Sequence, residues 1–468
     1  MSADAGRDLP LLDATRPRAA APTRAPASGG RRVYVETYGC QMNLADSEVV
    51  TSILSAAGFS ITDRPEEADV VLINTCAVRE HAEERVLGRA AQLSGLRRER
   101  PHLVLGILGC MAQRLADRLP QRAPGVDLVM GPDSYRRLPE ALAETSDEAL
   151  LHVRLSRGED YAGIDPARRE GTNAWVTVMR GCDKFCTFCI VPYVRGRERS
   201  VPCAEVLRQV RSLAGQGFRE VTLLGQTVSS YRNGDVDFAG LLKGVAAVDG
   251  IDRVRFMSPH PADFDERTIE ALAHIPEVCP SLHLPVQSGS DAQLGAMRRG
   301  YTVAEYRSLV DRLRQAVPDL CLTTDVVVGF CGETDDDFAH TLRLLHEVRF
   351  DSAFMFRYSQ REGTHAARHM PDDVPNGVKA ERLQRLIAVQ EAISQEVSQR
   401  FVGRTVPVLV EGPSRRPGES GPTWYGRSPH GKVVVFGQET PANQEVSVRV
   451  DRASSHSLFG GVVNPTEV

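Results

Sequence analysis

Three apolar runs, each closing on a cysteine, constrain the fold of the first third of this chain more than any other feature. Val33–Thr37 leads into Tyr38-Gly39-Cys40, Asp69–Asn74 into Thr75-Cys76, and His102–Leu108 into Gly109-Cys110. Near-continuous apolar runs mark strands buried on both faces of a parallel sheet. Helical stretches separate them: Asp46-Ser47-Glu48 offers a start, Val49, Val50, Ile53, Leu54 and Ala57 an apolar stripe, and Gly58 a stop. Strands alternating with helices predict a parallel α/β domain from about Arg31 to Ala149. In such sheets the site forms beyond the carboxyl ends of the strands, where each run delivers its cysteine. Three isolated, buried, inert cysteines are the competing reading. Equivalent placement at three strand ends favours a gathered ligand set.

A second stretch, from about Thr172 to Gln399, carries six strand candidates: Trp175–Met179, Val221–Leu224, Val254–Met257, Leu282–Pro285, Thr323–Val328 and Ser352–Phe356. Six βα units fall short of the eight of a closed TIM barrel, so an open, partial barrel is expected. A helical pattern over Pro375–Gln399 closes it. From Phe401 onward short β-rich runs at Val406–Val410, Lys432–Phe436 and Val446–Val450 alternate with Gly, Pro and Ser, predicting a small β-barrel.

Immediately after the first strand of the second stretch stand Cys182, Cys186 and Cys189, spaced C-x3-C-x2-C. A 4Fe–4S cluster is usually held by four thiolates; three leave one iron open to a further ligand. An open iron can bind S-adenosylmethionine (SAM), and one electron passed into the sulfonium releases an adenosyl radical. The competing reading is a structural zinc site with Cys203 as fourth ligand, but zinc knuckles normally pair their cysteines as C-x2-C.

Composition excludes other classes. No apolar run reaches membrane-spanning length. Residues 1–30 are rich in Ala, Pro and Arg, lack a secretory h-region and read as a disordered tail. A cytoplasmic, reducing location follows, where clustered cysteines hold metal or do chemistry rather than pair. The formal net charge of −5 neither supports nor excludes an RNA partner.

The cysteine spacing after a barrel strand resembles the radical-SAM superfamily, with Phe188 where that superfamily has an aromatic near the adenine. Gly39-Cys40-Gln41-Met42-Asn43, Asn74-Thr75-Cys76, Gly109-Cys110-Met111-Ala112-Gln113 and Leu282–Ser290 are similar to signatures of the methylthiotransferase family. Cys-Gln-Met-Asn resembles its branch acting on N(6)-dimethylallyladenosine in tRNA. The resemblance implies a flavodoxin-like α/β domain over 31–149, a (β/α)6 radical-SAM core over 168–399 and a TRAM β-barrel over 400–464.

It further implies two 4Fe–4S clusters, one on Cys182, Cys186 and Cys189 with SAM, the other on Cys40, Cys76 and Cys110. Phe188, Gln226 and Gln287 are expected at the SAM pocket. Two SAM molecules are expected to serve, one as methyl donor and one as radical source, and the product is a methylthio group on carbon 2 of the adenosine. A tRNA substrate, a low-potential electron donor, a sulfur source, a monomeric chain and no membrane complete the expectation.

Two alternatives stay open here. One keeps the chemistry and moves it to threonylcarbamoyl-adenosine or a ribosomal protein. The other is an RNA-binding electron-transfer or metal-structural protein without radical chemistry. Thr227, Ser229, Pro259, Cys331 and Glu362 depart from the family's usual residues. Arg195, Arg197 and Arg199 read either as phosphate contacts or as a charge run paired locally, for instance with Glu198. His260 reads equally as a site residue or a loop histidine; Cys203, Cys279 and Cys321 read as inert.

Overall fold

A computed structural model describes residues 30–77, 80–144, 149–167, 171–415 and 421–463. The tail expected over residues 1–30 therefore lies, but for Gly30, outside the described residues. Two compact units emerge. The first holds residues 30–167 with 180–183 and 190–199; the second holds 171–179, 184–189 and 200–463.

The first unit is built on a six-stranded, wholly parallel sheet, ordered Ser60–Ile61, Arg32–Tyr38, Val70–Thr75, Val104–Gly109, Leu128–Met130, Leu150–His152. The order 2-1-3-4-5 with one added edge strand is the doubly wound flavodoxin-like arrangement. Every residue of Val70–Thr75 and Val104–Gly109 is buried. Each fully buried Val, Leu or Ile contributes roughly 1.5–3 kcal/mol, so these central strands hold the unit together. Three strands escape the sequence pattern, because runs of two or three residues carry no detectable period.

The helix expected from Asp46 instead spans Gln41–Ala56, with Cys40 as its N-cap. Asn43 explains the earlier start. Its side-chain amide donates to Thr75 O at 3.1 Å, while Asn74 Nδ2 donates to Asn43 O at 2.9 Å. This crosslink between neighbouring strand ends fixes the first helical turn directly after the cysteine. Gly58, at φ +87°, follows the helix where a stop was expected.

In the second unit all six expected strands form, as Asn173–Thr177, Glu220–Leu224, Arg253–Phe256, Ser281–His283, Cys321–Val328 and Ser352–Arg357. They make two parallel three-stranded sheets. A parallel bridge, Val254 to Val278, links the third strand to the segment leading into the fourth. The strands thus follow chain order, as in a partial barrel. The helix Asn376–Ser398 follows them, and five strands then close a barrel: Thr405–Pro413, Trp424–Arg427, Val433–Phe436, Ser457–Val462 and Glu445–Ala453. Two of these, Trp424–Arg427 and Ser457–Val462, were not legible in the sequence, being interrupted by glycine and polar residues.

The small barrel is fastened to the amino ends of the core strands. Arg253 donates to Arg427 O at 2.6 Å and pairs with Glu445 at 2.5 Å, and Arg255 donates to Ser428 O and Pro429 O. Asp351, just before the sixth strand, pairs with Arg400 and Lys432. The carboxyl ends of the strands, where chemistry is expected, are left clear of these contacts. Among the described residues no helix is long and apolar enough to cross a membrane.

Candidate functional site

Register explains why Cys40, Cys76 and Cys110 share one sheet edge. Tyr38 aligns with Thr75, and Thr75 with Gly109. Cys76 and Cys110 each stand one residue past this aligned row, and Cys40 two. The place is the carboxyl edge at the switch point between the first and third strands, where doubly wound sheets bind their ligands.

Two glycines let the chain pack closely there. Gly109 has φ +93°, and a Cβ on it would lie 2.4 Å from Asn74 Oδ1; one on Gly39 would lie 2.9 Å from Cys76 Cβ. Cys76 and Cys110 are buried and Cys40 is exposed. A hydrogen bond from Cys76, helped by the Arg195 charge, lowers the Cys40 thiol to about 6. Burial raises the Cys110 thiol. Cys40 also caps the positive end of the Gln41–Ala56 helix, a setting that favours a thiolate.

The arginines after the third loop cysteine do not form a free phosphate-binding run. Arg195 is buried, donates from Nε to Cys110 Sγ at 3.2 Å and pairs with Asp46 at 2.7 Å. Arg197 pairs with Asp183 and Arg199 with Asp133. Glu198 and Asp183 accept each other's backbone N–H groups, and Cys182 N–H bonds to Gly196 O, pinning Cys182 to this segment.

The unit boundary falls inside the C-x3-C-x2-C loop: Cys182 belongs to the first unit, Cys186 and Cys189 to the second. In the second unit the loop is tied to several strand-end segments. Lys184 pairs with Asp263, beyond the third strand, and Thr187 bonds to Met297 O, Ala296 O and Ala366 N–H. Arg299 donates from Nη1 to Cys186 Sγ at 3.3 Å and from Nη2 to Pro285 O at 3.1 Å.

Phe188 meets Phe330 edge-on at 6.2 Å. Gln226 follows the second core strand, and Gln287, buried with φ +74°, bonds through its backbone to Asp325 and Val327. All three lie in loops within or beyond the carboxyl ends of core strands. His260 is buried in the same region. Its N–H donates to Ser229 Oγ at 2.8 Å, and burial, with the Arg299 and Lys184 charges, lowers its ring to about 2. Two of the departures from the family pattern, Ser229 and Pro259, thus meet at this histidine.

Sequence reasoning missed Asp46, Arg299 and Lys184. A helix-start signal hid Asp46, and single charges such as Arg299 and Lys184 give no periodic signal.

The donor sets suit iron–sulfur clusters. Each triad offers only cysteine sulfurs, and each has one sulfur bonded by a buried guanidinium, a contact that suits an anionic sulfur ligand. Among the described residues no three His, Cys, Asp or Glu side chains are grouped to hold a single metal ion. A four-iron cluster asks for a wider spread, since each thiolate binds a different iron.

Comparison with known proteins agrees with this architecture. Residues 32–131 match the uncharacterized protein family UPF0004, residues 176–345 the radical SAM superfamily, and residues 399–463 the TRAM domain. The tRNA-2-methylthio-N(6)-dimethylallyladenosine synthase of Porphyromonas gingivalis is 48% identical over 444 residues, covering 92% of this chain and 95% of that protein. The protein of the same name from Chloroherpeton thalassium is 45% identical, covering 92% and 96%.

Among solved structures, the radical S-adenosylmethionine methyltransferase TsrM from Kitasatospora setae, with cobalamin and a 4Fe–4S cluster bound, shares the fold. Its TM-score is 0.55 at 15% identity, covering 72% of this chain and 74% of that one. With near-complete coverage and identity well above what fold alone requires, the chain belongs to the family of tRNA-2-methylthio-N(6)-dimethylallyladenosine synthases.

Proposed function

We propose that this chain is a radical-SAM tRNA methylthiotransferase that adds a methylthio group to carbon 2 of N(6)-dimethylallyladenosine, using two 4Fe–4S clusters. The names of its relatives support this substrate over threonylcarbamoyl-adenosine or a ribosomal protein. Radical-SAM membership brings one 4Fe–4S cluster and SAM. The second cluster rests on one observation: three cysteines brought to the same sheet edge by the Tyr38–Thr75–Gly109 register.

When bound, the clusters supply a SAM-derived adenosyl radical at Cys182, Cys186 and Cys189 and a sulfur carrier at Cys40, Cys76 and Cys110. The chain's own part is positional. Arg299 holds Cys186 against the fourth core strand, Thr187 and Lys184 fasten the cysteine loop, and Gly181 at φ +78° lets the chain turn into Cys182. Phe188, Gln226 and Gln287 line the SAM side. One SAM is spent as methyl donor and a second as radical source. The tRNA is gripped with the help of the C-terminal barrel, on a face away from the strand-end site.

The working domains in this reading are a tail over 1–30, the sulfur domain over 31–149, the radical core over 168–399 and the barrel over 400–464. A low-potential electron donor and a sulfur source serve a monomeric, cytoplasmic enzyme.

The test uses two triple variants. Replacing Cys182, Cys186 and Cys189 with Ala removes about four irons per chain and abolishes 5′-deoxyadenosine. Replacing Cys40, Cys76 and Cys110 removes a similar amount, retains reductive SAM cleavage and ends methylthio-adenosine formation in tRNA. Full iron content and continued methylthiolation in the second variant would overturn the two-cluster reading.

A further inference from the structure

Behind the first sheet's carboxyl edge lies a buried charge network that the proposed chemistry has not used. Asp46, fully buried mid-helix, accepts from Arg180 Nη2 at 2.8 Å and from Arg195 Nη2 at 2.7 Å. Both guanidinium groups are almost completely buried, and Arg180 also stacks 4.5 Å over the Tyr161 ring. Nearby, Arg199 pairs with buried Asp133. Three guanidinium groups therefore face two carboxylates, leaving one positive charge without a counter-ion in this network.

The surplus has a direction. Arg195 spends Nη2 on Asp46 and Nε on Cys110 Sγ at 3.2 Å, while its Nη1, like Nε of Arg180, has no hydrogen-bond partner. Buried charge left uncompensated is costly, and native structures rarely keep it without a reason. A four-iron cluster on three thiolates carries a net charge of roughly −1 when oxidised and one more negative charge when reduced, and charge and sulfur hydrogen bonds tune its potential.

We propose that Arg195, held by Asp46, is the built-in counter-ion of the N-terminal cluster, a positioning residue that favours its more negative state through Cys110. This rests on the reading of Cys40, Cys76 and Cys110 as cluster ligands. Asp46 sets how much of the Arg195 charge is felt, because it neutralises part of it.

The experiment is an anaerobic redox titration followed by electron paramagnetic resonance, on the full chain carrying Cys182, Cys186 and Cys189 replaced by Ala. Iron bound to that parent tests the ligand reading by itself: a parent without iron defeats that reading and the role of Arg195 with it, whereas an iron-bearing parent whose potential ignores Arg195 defeats the role alone. In the iron-bearing parent, Arg195→Gln shifts the midpoint potential to more negative values. A tenfold change in the oxidised-to-reduced ratio corresponds to about 59 mV for one electron. Arg195→Lys falls between, and Asp46→Asn moves the potential the opposite way.

Opposite signs for the two positions distinguish charge tuning from mere structural damage, which moves both alike. Unshifted potentials in Arg195→Gln with iron retained overturn the proposal. Should Arg195→Gln lose its iron, Arg195→Lys and Asp46→Asn decide: opposite shifts uphold the proposal, and unshifted or same-sign values overturn it.

Discussion

Arg299 donates from Nη1 to Cys186 Sγ at 3.3 Å, with its guanidinium almost fully buried. The same group reaches Pro285 O, at the carboxyl end of the fourth core strand, so a loop cysteine is tied to the sheet through one side chain. Tyr301 supports it, the Arg299 guanidinium lying 5.5 Å from the Tyr301 ring centre and bonding to its hydroxyl. Hydrogen bonds involving a charged group are worth about 1.5–3 kcal/mol, and burial leaves no water to replace this one.

Replacing Arg299 with Gln should therefore lower reductive cleavage of SAM by about tenfold or more, the equivalent of about 1.4 kcal/mol. The measurement is 5′-deoxyadenosine yield with dithionite as reductant, normalised to iron content. A yield equal to that of the parent chain would show that Cys186 needs no such support.

Gly181 and Gly58 both have positive φ, +78° and +87°, yet only one is crowded. A Cβ on Gly181 would lie 2.0 Å from Arg197 O, whereas nothing lies within 4 Å of one on Gly58. Left-handed backbone costs a non-glycine residue roughly 1–2 kcal/mol, so Gly58→Ala should lower stability slightly and leave iron content intact. Gly181→Ala must in addition displace the backbone beside Cys182. About four irons per chain should be lost with SAM cleavage, read by iron and acid-labile sulfide assays.

On the outer face of the small barrel, strand register lines up Tyr425, Val435, Phe459 and Arg452. Arg452 lies 3.8 Å over the Phe459 ring. A stacked base is worth about 1–3 kcal/mol, so Phe459→Ala should weaken tRNA binding fivefold or more by fluorescence anisotropy. Point variants serve better than removing the barrel, because truncation would strip Arg253 and Arg255 of buried partners and uncover Cys321.

His430 packs edge-on against Phe401 at 5.2 Å, and burial together with Arg400 and Arg404 lowers its ring to about 4. Its folded value lies below the ordinary histidine value of about 6.5, so the neutral ring is favoured on folding. The stability this contributes is complete above pH 6.5 and is lost as pH falls toward 4. The thermal midpoint of the parent chain should fall over that window more steeply than that of His430→Gln, by differential scanning fluorimetry. Parallel slopes would show that His430 does not titrate with folding.

What the sequence determined by itself was the set of long apolar strands and the cysteines at their ends. A run of apolar residues bounded by turn signals is a local property, and it reads the same before and after folding. For that reason Val70–Thr75 and Val104–Gly109 were legible, as was the C-x3-C-x2-C loop after the first core strand. Short strands such as Leu128–Met130 were not, since their hydrogen bonds depend on neighbours already in place.

Only the tertiary structure decided the partners of charges. Asp46 read as a helix start and Arg195 as a phosphate contact or part of a locally paired charge run, yet they form one buried pair across 149 positions of chain. Arg299 meets Cys186 across 113. A charge carries no mark of its partner in the sequence. Its cost in a dry interior is met only when folding brings an opposite charge, or a sulfur ligand, within hydrogen-bond reach.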